Sequence, residues 1–322
     1  MRRPRTVGHD ASRKVRIPIR TWSTTPRPWP PSLPLATLRL VLASVLASAL
    51  LLGLASAPAL AAVPKSRFPH SVVTTTRSPG KPLVIGHRGN PARAPEETLP
   101  SFQSAVDRGA DVLELDIQWT VDGQMVALHD TGAHALDRTT DCTGSVQSKT
   151  LAQIRTCDAG SWKGNQWKGT RVPTFGEVAG LAAKARLAIA PEMKSATVSA
   201  AQARQLAEAI EEYGLASRVV VQSFYPDALR LFRDVSPDTL LMYVTRKSVK
   251  TASQVRAAGA TYYASDYESL TRTQVHDLQR AGIMVWLYTA GSSATSNAAI
   301  ASPRPNGIMT NDVDATKAYL AS

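Results

Sequence analysis

Cysteine is nearly missing from this chain: Cys142 and Cys157 are the only two in 322 residues. That scarcity excludes a cysteine-built metal centre, which needs more ligands than two thiols. No His pair stands at ligand spacing either, which argues against zinc. Acid is almost absent from Met1 to Trp29, where Arg and Lys accumulate, and Pro26 to Pro34 is proline-rich, so nothing there can form a packed core. Charge is wholly absent from Leu40 to Ala57, and the apolar run Leu40 to Leu54 lies inside that stretch. The small-x-small triplet Ala59-Leu60-Ala61 follows it, and the combination reads as a secretory signal peptide over residues 1–61. An uncleaved anchor is the alternative, because 18 uncharged residues approach the spanning minimum. The Ala- and Ser-rich composition favours cleavage, and no cysteine follows that could be lipidated.

Loss of the leader changes the charge argument. Nine Lys/Arg and one Asp leave with it, so the mature chain carries 28 basic and 24 acidic residues, a net of about +4. The basic character of the whole chain belongs mostly to the leader, and no nucleic-acid partner is read from charge. In an exported protein the two thiols most simply pair, and a Cys142–Cys157 disulfide would contribute about 3 kcal/mol in the chain-entropy account.

What is present is a regular alternation. Val63 to Pro82 reads as an exposed lead-in over residues 62–82, and residues 83–322 carry short apolar runs separated by amphipathic segments. Eight runs read as strands: Leu83 to Ile85, Val112 to Ile117, Leu187 to Met193, Val219 to Ser223, Thr239 to Val244, Thr261 to Ser265, Ile283 to Tyr288 and Gly307 to Thr310. Helical segments lie between or after them, several opening on a cap residue, with Gly109, Gly214, Gly259 and Gly282 just past helix ends. Strict alternation implies a parallel sheet, and eight repeats in 261 mature residues imply an α/β fold of the (β/α)8 TIM-barrel type. Asp122-Gly123 predicts a two-residue turn, so Met125 to Leu128 is a hairpin extension on the second strand. The long insertion Thr131 to Pro173 would hold the disulfide, and its Trp162-Lys163-Gly164 and Trp167-Lys168-Gly169 echo reads as a loop packing its own tryptophans.

Chemistry concentrates between Val84 and Asp130. Alternation on the second strand points Glu114 and Asp116 to one face, and two buried carboxylates side by side call for a compensating cation. An all-oxygen site suits calcium or magnesium. His87 and Arg88 follow the first strand on a glycine-flanked turn, and the hairpin brings His129 almost opposite Asp116.

These residues carry a resemblance. His87-Arg88-Gly89, Pro95-Glu96-Glu97-Thr98 with Ser101-Phe102, Glu114-x-Asp116, Thr120-x-Asp122-Gly123 and His129-Asp130 resemble the signature of the glycerophosphodiester phosphodiesterase family, within the phosphatidylinositol phospholipase C-like barrel superfamily. Glu192-Met193-Lys194, Ser223-Phe224, Trp286 and Gly307-Ile308-Met309-Thr310 continue the order from Leu83 to the C-terminus. Three departures bear on substrate preference: Glu97 stands where the family usually has Asn, Asn311 where an Asp commonly follows the Thr, and Trp286-Leu287-Tyr288-Thr289 only loosely resembles the family's Trp-Thr-x-Asn.

The resemblance implies a secreted enzyme of lipid metabolism that hydrolyses a small glycerophosphodiester to an alcohol and sn-glycerol 3-phosphate. On this reading Glu114, Asp116 and Glu192 hold Ca2+ or Mg2+, Arg88 and Lys194 bind phosphate, and His87 and His129 form the acid–base pair. Glu96 would orient Arg88 or His87, and Phe224, Trp286 and Tyr288 would form an apolar wall or, more plainly, barrel core. No stable membrane span is expected after cleavage of the leader. The competing readings are a phospholipase D- or C-like enzyme, a hydrolase of polymeric glycerol phosphate such as teichoic acid, and a secreted binding module without activity.

Overall fold

The computed structural model describes residues 81–288 and 294–322. The signal-peptide reading, the lead-in before Lys81 and Thr289 lie outside them. Nine strands form one sheet: β1 (Leu83–His87), β2 (Val112–Trp119), β3 (Met125–Ala127), β4 (Ala188–Met193), β5 (Val220–Ser223), β6 (Leu240–Thr245), β7 (Tyr262–Asp266), β8 (Met284–Tyr288) and β9 (Gly307–Thr310). Neighbours run β1-β9-β8-β7-β6-β5-β4-β2-β3, and β1 also pairs with β2. Eight parallel strands therefore close on themselves, and β3 alone runs antiparallel, on β2. The expected barrel and its hairpin extension are both present.

Two local features differ from the sequence reading. β2 continues two residues past Ile117, because Gln118 and Trp119 pair with Val126 and Met125 of β3. The hairpin turn is also longer than two residues: the Thr120 N–H donates to Gln124 O at 2.9 Å, enclosing Val121, Asp122 and Gly123. Gly123 takes φ +76°, the left-handed conformation that makes glycine the natural residue there.

Period two on every strand sorts side chains into two shells. Leu113, Leu115, Ile117, Ile189, Val221, Leu241 and Val285 face outward into the layer of helices. Ile85, Val112, Ala190, Val220, Met242, Ala264, Trp286 and Met309 fill the barrel interior. The covering helices Phe175–Ala185, Ala200–Glu212, Ala252–Ala257 and Arg272–Arg280 each open on a capping box, with Thr174, Ser199, Thr251 and Thr271 accepting from the third helical N–H.

The insertion has a small core of its own. Val126 and Leu128 of the hairpin pack with Ala135, Leu136, Val146, Ile154, Ala159 and Val172, and the Cys142–Cys157 disulfide closes the loop beside them. The tryptophans do not build this core. Trp162 is 43% exposed and donates to Ala159 O, while the Lys163 ammonium lies 5.8 Å from its ring centre and reaches Pro91 O.

Candidate active site

The interior parity that fills the barrel also builds the cleft at its C-terminal mouth. Two or four residues beyond an interior core position lie cleft residues: His87 after Ile85, Glu114 and Asp116 after Val112, Glu192 and Lys194 after Ala190, and Asn311 after Met309. Gln222, Arg246, Asp266 and Tyr288 occupy the same places on β5, β6, β7 and β8. The cleft has a volume of about 490 Å³.

At its floor Glu114, Asp116 and Glu192 each bring one oxygen within 4.8 Å of the others, and all three are buried. Lys194 Nζ lies 3.1 Å from Glu192 and 3.4 Å from Asp116, and Arg88 Nε lies 3.5 Å from Asp116 Oδ2. That Oδ2 is buried with no hydrogen-bond donor, as is Glu97 Oε2. Three buried carboxylates with one oxygen each this close together fit a hard divalent cation bound through oxygen.

The surrounding chain holds these carboxylates in place. Glu114 Oε1 accepts from Gln222 Nε2 at 2.9 Å, and its Oε2 accepts from the Arg88 N–H at 2.9 Å. Arg88 itself takes φ +61°, a left-handed conformation uncommon for a side-chain-bearing residue, and the Glu114 contacts hold it there. Glu97 is buried, and its Oε1 accepts the Asp116 N–H at 2.9 Å. The Asn-to-Glu departure therefore acts on the strand that carries Glu114 and Asp116 and does not line the cleft.

Burial and charge set the protonation states. Burial pushes the Glu192 carboxyl up to about 7, with Asp116 adding to the rise and Lys194 opposing it. Glu114 is raised by burial and by its two acidic neighbours, and Glu97 by burial, Asp116 and Glu114. Burial alone would raise Asp116 too, but Lys194 and Arg88 outweigh it and hold that group well below the usual carboxylate range. Burial would lower Lys194, yet Asp116 and Glu192 keep it charged. Burial draws the His87 imidazole down to about 3, with Arg88 adding to the effect. His129 is lowered by burial as well.

Both imidazoles have their Nδ1 engaged. His87 Nδ1 lies 2.7 Å from Asn311 Oδ1, and His129 Nδ1 lies 2.7 Å from Asp130 Oδ1. Each partner oxygen accepts, so Nδ1 carries the proton and Nε2 is the nitrogen available for proton transfer. Asn311, the second departure from the family pattern, thus sits behind a catalytic candidate.

The remaining candidates divide. Glu96 pairs with Arg88, Nη1 to Oε1 at 2.9 Å. Phe224 and Tyr288 line the cleft, and Lys194 Nζ lies 5.9 Å from the Phe224 ring centre. Trp286 is fully buried in the barrel interior, edge-on to Tyr262 at 5.7 Å, and does not line the cleft. Gln222, Asn311, Arg246 and Asp266 were open to discovery by extending the interior parity of each strand past its end. Arg138 carried no such signal: it lies on the insertion and donates to both Asp130 and Glu96.

Comparison with known proteins follows the same geometry. The model of the "Glycerophosphoryl diester phosphodiesterase family" matches residues 87–315. A glycerophosphodiester phosphodiesterase of Caldanaerobacter subterraneus is 39% identical over 158 residues, 49% of this chain and 64% of its own length. One of Bacillus subtilis is 30% identical over 237 residues, 67% of this chain and 79% of its own. Among solved structures, a glycerophosphodiester phosphodiesterase from Agrobacterium tumefaciens superimposes with a TM-score of 0.65 at 24% identity, over 74% of this chain and 99% of that one. An Oleispira antarctica phosphodiesterase in complex with the product sn-glycerol-3-phosphate gives 0.67 at 22% identity, over 75% and 98%. At these identities the structural likeness concerns the fold.

Proposed function

Because the chain belongs to the glycerophosphoryl diester phosphodiesterase family, we propose that it is an exported, divalent-metal-dependent enzyme hydrolysing a glycerophosphodiester to an alcohol and sn-glycerol 3-phosphate. The observation that carries this reading is the convergence, in one cleft, of three buried carboxylates, two cations and two Nδ1-anchored imidazoles.

Each group has a task in breaking a P–O bond. Arg88 and Lys194 neutralise charge on the phosphoryl oxygens, where a low-dielectric cleft makes each cation count for more than in water. Glu114, Asp116 and Glu192 would hold Ca2+ or Mg2+, which supplies further positive charge to the same oxygens when bound. One imidazole takes the proton of the attacking hydroxyl at Nε2, and the other gives a proton to the departing alkoxide, so that no free alkoxide forms. Asn311 and Asp130 hold both rings with the proton on Nδ1, so the base accepts at a bare Nε2, and the ring that acts as the acid first takes up a proton at its Nε2. Lys194 also holds Asp116 ionised next to Glu192.

Export is supported by the leader's composition and by the Cys142–Cys157 disulfide, a bond that persists in oxidising compartments. Among the described residues no helix is long and apolar enough to cross a membrane.

The test is hydrolysis of glycerophosphocholine by the mature chain, with EDTA and with calcium or magnesium restored, beside His87→Ala and Glu114→Ala. Expected is metal-dependent release of glycerol 3-phosphate that both substitutions reduce by at least about 10³-fold. No turnover of this or any related diester under any metal overturns the reading. The mass of the chain recovered from culture medium tests cleavage after Ala61.

A further inference from the structure

Arg138 makes contacts of a kind that surface arginines rarely combine. Its Nε and Nη2 donate to Asp130 Oδ2 and Oδ1 at 2.6 and 3.0 Å, and its Nη1 and Nη2 donate to Glu96 Oε2 and Oε1 at 3.2 and 2.7 Å. Both carboxylates have a second duty in the cleft. Asp130 holds His129 at Nδ1, and Glu96 holds the Arg88 guanidinium. Arg138 thus joins the hairpin that carries one imidazole to the turn that carries a phosphate-binding cation.

The arginine is itself held from below. Leu136, two residues earlier, is fully buried in the insertion core and its N–H donates to Gly144 O. Asp137 accepts from the Gly144 N–H at 2.9 Å, and Thr140 Oγ1 donates to Leu136 O at 2.7 Å. The Cys142–Cys157 disulfide closes the same loop. Only a planar guanidinium with several N–H groups can serve two carboxylates with paired bonds; an ammonium cannot.

We infer that Arg138 is a positioning residue for His129 and Arg88, and that the disulfide-closed insertion is thereby a working part of the active site. This rests on the diesterase reading above. An isolated surface pair would contribute about 0–1 kcal/mol of stability and nothing to turnover. A bridge that orients cleft groups instead resembles the outer partners of a metal site, whose removal costs about 10–100-fold in activity.

A double-mutant cycle separates the two. Arg138→Gln is expected to lower kcat about 10–100-fold with little change in melting temperature, and Arg138→Lys to restore kcat only in part. In an Asp130→Asn background, where the His129 arm of the bridge is already disabled, Arg138→Gln should cost several-fold less than it does in the wild type, leaving only the loss carried by the Glu96–Arg88 arm. Losses that multiply in full, a lysine variant equal to wild type, or a loss of kcat explained by unfolding each overturn the inference. So does wild-type kcat in Arg138→Gln, which would leave the diesterase reading standing. Glycerol 3-phosphate affinity by calorimetry reads the Arg88 arm without turnover: a weaker Kd in Arg138→Gln is expected, and an unchanged one counts against the bridge even if no diester is hydrolysed.

Discussion

Glu192 shows how one residue couples protonation to stability. Its ordinary value is 4.5, and burial lifts it in the fold to about 7, so the folded state favours the neutral form. The stability this contributes is present in full below 4.5 and is lost as pH climbs towards 7. Glu114 and Glu97 shift in the same direction. Asp116 is held low, so its contribution disappears only in strong acid. His87 and His129, both lowered by burial, act the other way, because below 6.5 the unfolded chain binds their protons and the fold does not. Three raised carboxylates outweigh two imidazoles, and the metal-free protein is expected to melt at a lower temperature at pH 8 than at pH 5. Calcium or magnesium, by offsetting the repulsion among ionised carboxylates, should raise the melting temperature more at pH 8. Scanning fluorimetry with EDTA and with each ion checks this; equal gains at both pH values would count against the cluster as a cation site.

At the scale of elements, the turn after β1 leaves no room for a side chain at Gly89. A Cβ on Gly89 would lie 2.4 Å from Ser101 Oγ and 2.6 Å from Ser101 C, on top of an unfavourable φ of +90°. The obstruction is backbone of the helix Leu99–Asp107 and cannot swing aside. Ser101 also receives the Asn90 N–H and donates to Arg88 O, so movement there would displace Arg88. Gly89→Ala is expected to cost about 2–4 kcal/mol in urea unfolding. Gly123→Ala, at a similar φ but with no atom within 4 Å of its Cβ, should cost only about 1 kcal/mol.

At the scale of the whole molecule, the barrel separates a dry interior from the cleft above it, and Trp286 belongs to the first. Trp286→Phe should lower stability by about 1–3 kcal/mol and leave KM for the diester unchanged; a raised KM with stability intact would return Trp286 to the substrate wall. The same division explains what could be read in advance. Eight apolar runs with period-two alternation, cap residues and glycine stops are local signals, and they determined the closed barrel, the hairpin and the facing of Glu114, Asp116, Glu192 and Lys194. Two cysteines in one insertion were enough to expect their bond. The tertiary structure alone decided the rest: Gln222 supporting Glu114 across 108 positions, Arg138 meeting Glu96 across 42, the burial of Glu97 behind Asp116, and the retreat of Trp286 into the core. Periodicity reports which face a residue takes, because that depends on its own strand. It does not report which distant side chain arrives opposite, because that depends on how the closed barrel and its insertion pack in space.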